Sequence, residues 1–403
     1  MSMKRLVISS LALCLCAVSM MAQDSKPQFN PVHTAIVSQT ITPDARAGSM
    51  GDVGAATDPD VASQFWNPAK YPFCISRAGA SMNYTPWLRK LVSDMNIANV
   101  TGYFRIGDYS AVGASLHYFS LGEVYLTDSF DDIMSDNAMT IKPYEMALDA
   151  SYSLMLSETF SIAAGMRFLL SDMSYTATEE SKAATAFAAD LACYYQNYIN
   201  IGSRECQLGL GANIRNIGSK INFSGSDRSE FIPTNLRLGA SLMVPIDEYN
   251  RFTIAADLNK LLVPTYPTPD QHKQALADGK TTIADYDKYV EENYYNTGSI
   301  AGIFKSFGDA PGGFKEELEE IQWSLGAEYT YNDRFSLRAG YHHEAESKGN
   351  RKYFTVGAGF RMSAFSLDAG YVISTARSNP LDQTLRFSLN FDIDGIKDLF
   401  GRK

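Results

Sequence analysis

Five histidines and five cysteines are the side chains of this 403-residue chain best suited to metal binding or nucleophilic chemistry. Their spacing serves neither. His342 and His343 are adjacent in a stretch of alternating polarity, and neighbours on a strand point to opposite faces, so the pair does not converge on one ion. His33, His117 and His272 are scattered, and no cysteines show Cys-x-x-Cys spacing. No Gly-x-Ser-x-Gly elbow and no phosphate-cradling glycine loop with its lysine occurs. Acyl transfer needs a nucleophile beside a base, and no Ser/His pair stands out. The expectation is no catalytic set, no metal site and no cofactor.

Other ionisable side chains point to a different use. Glu145, Asp149, Arg167, Asp190, Arg215, Arg237, Glu328, Arg338, Arg361, Asp368 and Arg386 alternate with apolar neighbours. That period of two places them on one face of extended strands. They mix both signs, which suits an ion-pair lattice lining a polar barrel interior.

The strands that must carry these charges are readable. Phe354, Val356, Ala358, Phe360 and Met362 alternate with Thr355, Gly357, Gly359 and Arg361. Leu385, Phe387, Leu389 and Phe391 alternate with Arg386, Ser388, Asn390 and Asp392. About fourteen such segments recur, each long enough to cross a bilayer at a tilt. They lie near 78–85, 97–106, 109–120, 143–156, 160–172, 184–197, 205–216, 235–245, 251–259, 322–331, 335–345, 353–363, 365–374 and 384–393. A soluble sandwich carries Lys and Glu on its polar face, whereas here that face is rich in Gly, Ser, Ala and Thr. The expected fold class is all-β: an antiparallel transmembrane β-barrel of about 14 strands with an N-terminal periplasmic or lumenal plug segment.

Connections support this. Short turns at 107–108, 157–159, 198–204, 246–250, 332–334 and 363–364 alternate with longer ones at 86–96, 121–142, 173–183, 217–234, 260–321, 346–352 and 375–383. Outer-membrane barrels have short periplasmic turns and long extracellular loops, so both termini are expected in the periplasm.

Composition narrows the class further. With 35 basic and 45 acidic side chains the formal charge is −10, which argues against a nucleic-acid partner. A hydrophobic content of 45% excludes wholesale disorder. Met1 to Ala22 reads as a signal peptide: Lys4 and Arg5 precede the apolar run Leu6 to Val18, and Ala22 offers a small residue for cleavage. Without it Cys74, Cys193 and Cys206 remain, an odd number that leaves a thiol unpaired within the chain. The expected organisation is signal peptide 1–22, plug region 23–76, barrel 77–393 with its longest loop at 260–321, and tail 394–403. That loop is expected to hold short helices within 275–292 and at 315–320. In the first long connection, Trp87, Leu88 and Leu91 share one face of a short turn and are the candidates for an exposed partner-binding element.

The segment Ile41-Thr42-Pro43-Asp44-Ala45-Arg46-Ala47-Gly48-Ser49-Met50-Gly51, followed by Trp66-Asn67-Pro68-Ala69, resembles the N-terminal signature of FadL-like outer-membrane barrels. Together with Tyr84-Thr85-Pro86-Trp87-Leu88-Arg89-Lys90-Leu91, it resembles the PorV (LptO) family of the type IX secretion system. The resemblance implies an outer-membrane protein without catalysis. It would bind secreted proteins bearing a C-terminal secretion domain at the type IX translocon barrel and deliver them to the surface sortase complex. It implies that Arg46, Gly48, Gly51, Trp66, Asn67 and Pro68 are structural plug residues. The competing expectation is a FadL-like transporter of hydrophobic small molecules such as long-chain fatty acids. Expected partners are the translocon barrel, C-terminal-domain cargo, the sortase complex and outer-membrane lipid, and no nucleic acid.

Overall fold

The computed structural model describes residues 29–89, 92, 94–126, 139–173, 183–223, 228–375, 381–399 and 401, so the expected signal peptide lies outside the described residues. Fourteen strands close into one antiparallel barrel. They are β1 Ala78–Pro86, β2 Asn96–Ile106, β3 Ser110–Ser120, β4 Tyr144–Ser157, β5 Phe160–Asp172, β6 Ala184–Ile201 and β7 Arg204–Gly218. The second half comprises β8 Asn235–Pro245, β9 Asn250–Leu261, β10 Gln322–Tyr331, β11 Phe335–His343, β12 Lys352–Arg361, β13 Phe365–Ser374 and β14 Leu385–Asp392. Each strand pairs with its sequence neighbours, and β1 closes on β14 with Met82 opposite Leu389.

Every expected segment forms a strand. The largest shift is in β6, which runs on to Ile201 because Gly202, at φ +65°, turns the chain in two residues. Asn332 and Asp333, both at positive φ, make the corresponding tight turn between β10 and β11.

The polarity of the barrel is inverted relative to a soluble one. Along β6, buried and exposed residues alternate from Ala184 onward, with Phe187 and Leu191 turned outward and Asp190 inward. Met82, Leu148, Met166, Ile254, Leu337, Phe354 and Phe387 likewise stand on the outer face. Burying a large apolar side chain is worth ~1.5–3 kcal/mol, so a wall of such residues is stable only in an apolar surrounding. That surrounding is the bilayer: the chain is an outer-membrane β-barrel. No helix among the described residues is long and apolar enough to cross a membrane, which does not bear on crossing by strands.

One charge keeps the lumenal strand parity of Tyr353 and Thr355 but is not buried. Arg361 is exposed as the last residue of β12, at the short-turn end, where the wall stops and the side chain meets solvent. Glu145, Asp149, Arg167, Asp190, Arg215, Arg237, Glu328, Arg338, Asp368 and Arg386 are buried within the barrel.

The N-terminal segment occupies the lumen. Residues 41–74 touch strands on every side of the closed wall, which only an interior position allows. It is built from short pieces, α1 Ala45–Gly48, α2 Ser63–Trp66 and a 3-10 turn Pro68–Phe73. Asp44 caps α1 by accepting from Ala47 N at 2.8 Å.

Candidate functional site

Two regions compete for functional weight, the lumenal segment and the layer of long loops above it.

The lumenal segment accounts for all six residues of its motif. Arg46 reaches Asp60 at 2.8 Å on its own segment and Glu328 of β10 at 3.1 Å. Glu328 also binds Arg338, which binds Asp368 at 2.7 Å, so one ion-pair chain crosses from plug to wall. Gly48 makes way for Arg386: a Cβ there would lie 2.5 Å from Nη1. Gly51 has φ +73°, and a Cβ would lie 2.7 Å from Tyr341 backbone atoms, so both conformation and contact require glycine. Trp66 is fully buried and donates Nε1–H to Asp44 at 2.6 Å. Asn67 donates to Ala55 O and Cys193 O at 3.0 and 2.9 Å and accepts from Ala69 N. Pro68 opens the 3-10 turn, and its carbonyl accepts from Ser153 at 2.7 Å. These contacts tie the lumenal segment to the wall.

Two further ties were not foreseen from the sequence. Buried Lys70 donates to Gly54 O at 2.8 Å, and Asp257 of β9 accepts from Gly54 N and Ala55 N at 2.8 and 2.9 Å. Asp257 sits between Ala256 and Leu258, so inward alternation was its available signal. Lys70 carried none.

The first long connection differs from its expectation. Trp87 is buried against Ile41, Ile97 and Phe119, with Leu88 half-buried beside it. Trp87 N donates to Met95 O at 3.0 Å, turning the loop back over the lumen. The exposed face expected at Trp87 is absent because the mouth of the plugged barrel offers apolar surface at Ile41. Leu91 lies outside the described residues.

Exposed apolar surface lies instead in the longest loop. It holds four α-helices, α3 Pro269–Ala277, α4 Tyr286–Val290, α5 Ser299–Lys305 and α6 Phe314–Glu319, and a π-helical turn Glu291–Tyr295. An aromatic cluster of Phe231, Tyr266, Tyr294 and Tyr295 forms its core. Lys260 bridges Glu317 and Glu320, and Lys348 bridges Glu316 and Glu320, fixing α6 over β9 and the 344–351 loop. From this frame Ile300, Phe304, Phe307, Phe314 and Leu318 point outward, at 57%, 74%, 53%, 79% and 52% exposure. Ile300 and Phe304 are four residues apart, as are Phe314 and Leu318, so each pair shares a helix face. That spacing was readable in the sequence.

Two cavities bear on this geometry. One, of about 50 Å³, lies inside the barrel at its long-loop end and is lined by polar residues including Gln39, Asp52, Arg215 and Arg237. The other, of about 600 Å³, is a groove on the outer wall among Met82, Tyr84, Phe335, Leu367 and Phe387. His342 and His343 do face opposite ways, the first buried and bonded to Ser324 at 2.9 Å. Among the described residues no three His, Cys, Asp or Glu side chains gather as a metal site.

Comparison with known proteins gives a family and several similar structures. The family model of the type IX secretion system protein PorV matches residues 23–268, more than half of the chain. A search of curated proteins gives no match. Among solved structures the chain is similar to a Pseudomonas aeruginosa FadL homologue, at 13% identity and TM-score 0.42 over 87% of this chain and 98% of that one. It is similar also to the Pseudomonas putida toluene transporter TodX, at 11% identity and TM-score 0.49 over 90% and 98%. The Ralstonia pickettii toluene transporter TbuX gives 11% identity and TM-score 0.44 over 86% and 96%. The barrel itself rests on its own strand pairing, and its family on the sequence match: this chain belongs to the PorV family of type IX secretion system proteins.

Proposed function

We propose that this barrel receives secreted proteins bearing a C-terminal secretion domain at the translocon barrel and passes them to the surface sortase complex. Both termini face the periplasm, and the long loops face outside, as connection lengths in such barrels run. The observation that carries the reading is the pairing of a filled lumen with a braced loop layer that turns five large apolar side chains outward. Exposed apolar groups on an ordered frame suit protein contact. Ile300, Phe304, Phe307, Phe314 and Leu318 are therefore the contact residues of this reading, in place of buried Trp87 and half-buried Leu88.

A fatty-acid transporter needs an apolar route past the plug. The lumenal cavity is small and lined by arginine and amide groups, and the larger apolar groove lies on the lipid-facing wall, where acyl chains of the membrane fit it. Both features favour the secretion reading.

The test is a strain lacking the gene, assayed for its surface and medium proteome beside uptake of a labelled long-chain fatty acid. Loss of C-terminal-domain proteins from the surface with uptake unchanged is expected. Normal export with lowered uptake would replace this reading with the transporter. A Phe304→Glu, Phe314→Glu double variant should assemble its barrel yet fail to restore export.

A further inference from the structure

Two lumenal arginines that line one cavity have donors without a hydrogen-bond partner in the protein. Arg215 is 3% exposed, and its Nε and Nη2 have no hydrogen-bond partner in the protein. Its nearest carboxylate, Asp190 Oδ2, stands 3.8 Å from Nε and is already held by Arg167 at 2.8 Å. Arg237, 8% exposed, donates Nε–H to Asn259 at 2.6 Å but leaves Nη1 without a partner. Gln39 Nε2, on the plug side, is a third such donor. All three residues line the polar cavity of about 50 Å³.

Their geometry is fixed rather than incidental. Arg215 faces Asn235 across the β7–β8 pair, two residues from Arg237, so the two arginines are diagonal neighbours on one wall. Each guanidinium lies over an aromatic ring of the plug: Arg215 is 4.1 Å from the Phe65 ring centre and Arg237 is 4.3 Å from that of Trp66. Stacking holds both planes and keeps them from swinging to distant acceptors. The acids nearby leave these donors unpaired. Asp52 is bound by Arg386 at 2.9 Å and by Tyr353, and Glu344 by Arg351 at 2.8 Å. Asp257 accepts from two plug amides through Oδ2, and its Oδ1 makes no hydrogen bond to either guanidinium. A buried donor left unpaired costs about 1–3 kcal/mol, and more when charged.

We propose that this cavity binds one small anionic group, a carboxylate or an oxoanion of the phosphate type, between Arg215 and Arg237 with Gln39 donating from the plug. Both anions match the bidentate fork of a guanidinium. The volume admits one such group, and the polar lining disfavours an apolar chain. The group belongs either to a free ion or to the anionic end of a larger molecule entering from the long-loop mouth. The site does not depend on the secretion reading.

The test is thermal unfolding of the full chain in detergent, titrated with inorganic phosphate, acetate or N-acetylglycine at constant ionic strength made up with chloride. A saturable rise in the unfolding temperature is expected for at least one probe. Response to phosphate or acetate identifies a free ion as sufficient, and response to N-acetylglycine alone identifies the end of a larger molecule. Arg215→Gln and Arg237→Gln should each weaken binding tenfold or more, while Arg77→Gln, outside the lumen, should not. No saturable rise with any probe, or an unchanged rise in both variants, overturns the proposal. Should the lumenal variants fail to fold, crystals of the unaltered protein soaked in selenate decide. An anomalous peak between the two guanidinium groups supports the site, and water alone there overturns it.

Discussion

The lumenal segment and the long-loop layer are both ordered by buried charge, yet they use it to opposite ends. In the lumen every piece of the plug is tied to the wall: Arg46 to Glu328, Gly54 to Asp257, Pro68 to Ser153 and Trp66 to Asn213. Backbone presses on backbone there, so glycine is required at Gly51 and, on the wall facing it, at Gly340. In the loop layer Lys260 and Lys348 brace α6 from below, and its upper surface carries Phe314 and Leu318 into solvent. The first region is built to stay closed, the second to present a surface. A change in the lumen should therefore act on the whole barrel, and a change in the loops should act locally.

The sharpest way to break that contrast is Arg167→Ala. Arg167 binds both Asp149 and Asp190 and reaches Asn216, all buried. Removing it strands two carboxylates, and losing one member of a buried pair costs about 3–5 kcal/mol. The expected outcome is a large drop in the temperature at which the folded band on an unheated gel converts to the unfolded one. Gly340→Val comes next. Its side chain would meet the backbone at Met50 and Gly51, and overpacking of this kind costs ~1–3 kcal/mol. Because the neighbour is backbone, the plug has to shift, which limited proteolysis within 41–74 should detect while the strands persist.

How much of this contrast the sequence shows depends on which physical rule carries it. The barrel is legible because alternation is local: Phe187 outward and Asp190 inward follow from spacing alone. The contacts that seat the plug are not, since they join residues hundreds of positions apart, such as Gly48 with Arg386. Trp87 fails for the same reason. Its own neighbourhood reads as an exposed apolar turn, and residues distant in sequence, Ile41 of the plug and Phe119 of β3, help to bury it. Phe304 and Phe314 show the converse. Their helical spacing was present, but an acidic loop masks five apolar residues when read by composition.

Smaller effects test the local half of the comparison. Thr268 closes a capping box with Gln271 at the start of α3. Thr268→Ala should cost that helix about 1 kcal/mol. Amide exchange should rise across 268–277 and stay unchanged in the strands. A rise throughout the wall would mean that the loop layer and barrel unfold as one unit.

The most localised expected effect is a pH dependence confined to the loops. Asp309 accepts from Thr265 N at 3.0 Å, and burial, with Glu320 and Glu317 nearby, pushes its carboxyl up to about 7. A folded-state value above the unfolded one means that the loop takes up a proton on ordering. Its stability is then greatest in acid, falls as pH rises from about 4 toward 7, and levels off above that. Asp309→Asn keeps an acceptor for Thr265 and removes the titration. Exchange at the Thr265 amide should accelerate between pH 5 and 7, beyond the intrinsic dependence, in the unaltered protein and not in Asp309→Asn. An identical profile in both proteins would place the pH response elsewhere. A matching change in the strands would erase the division between a closed barrel and an independently adjustable loop layer.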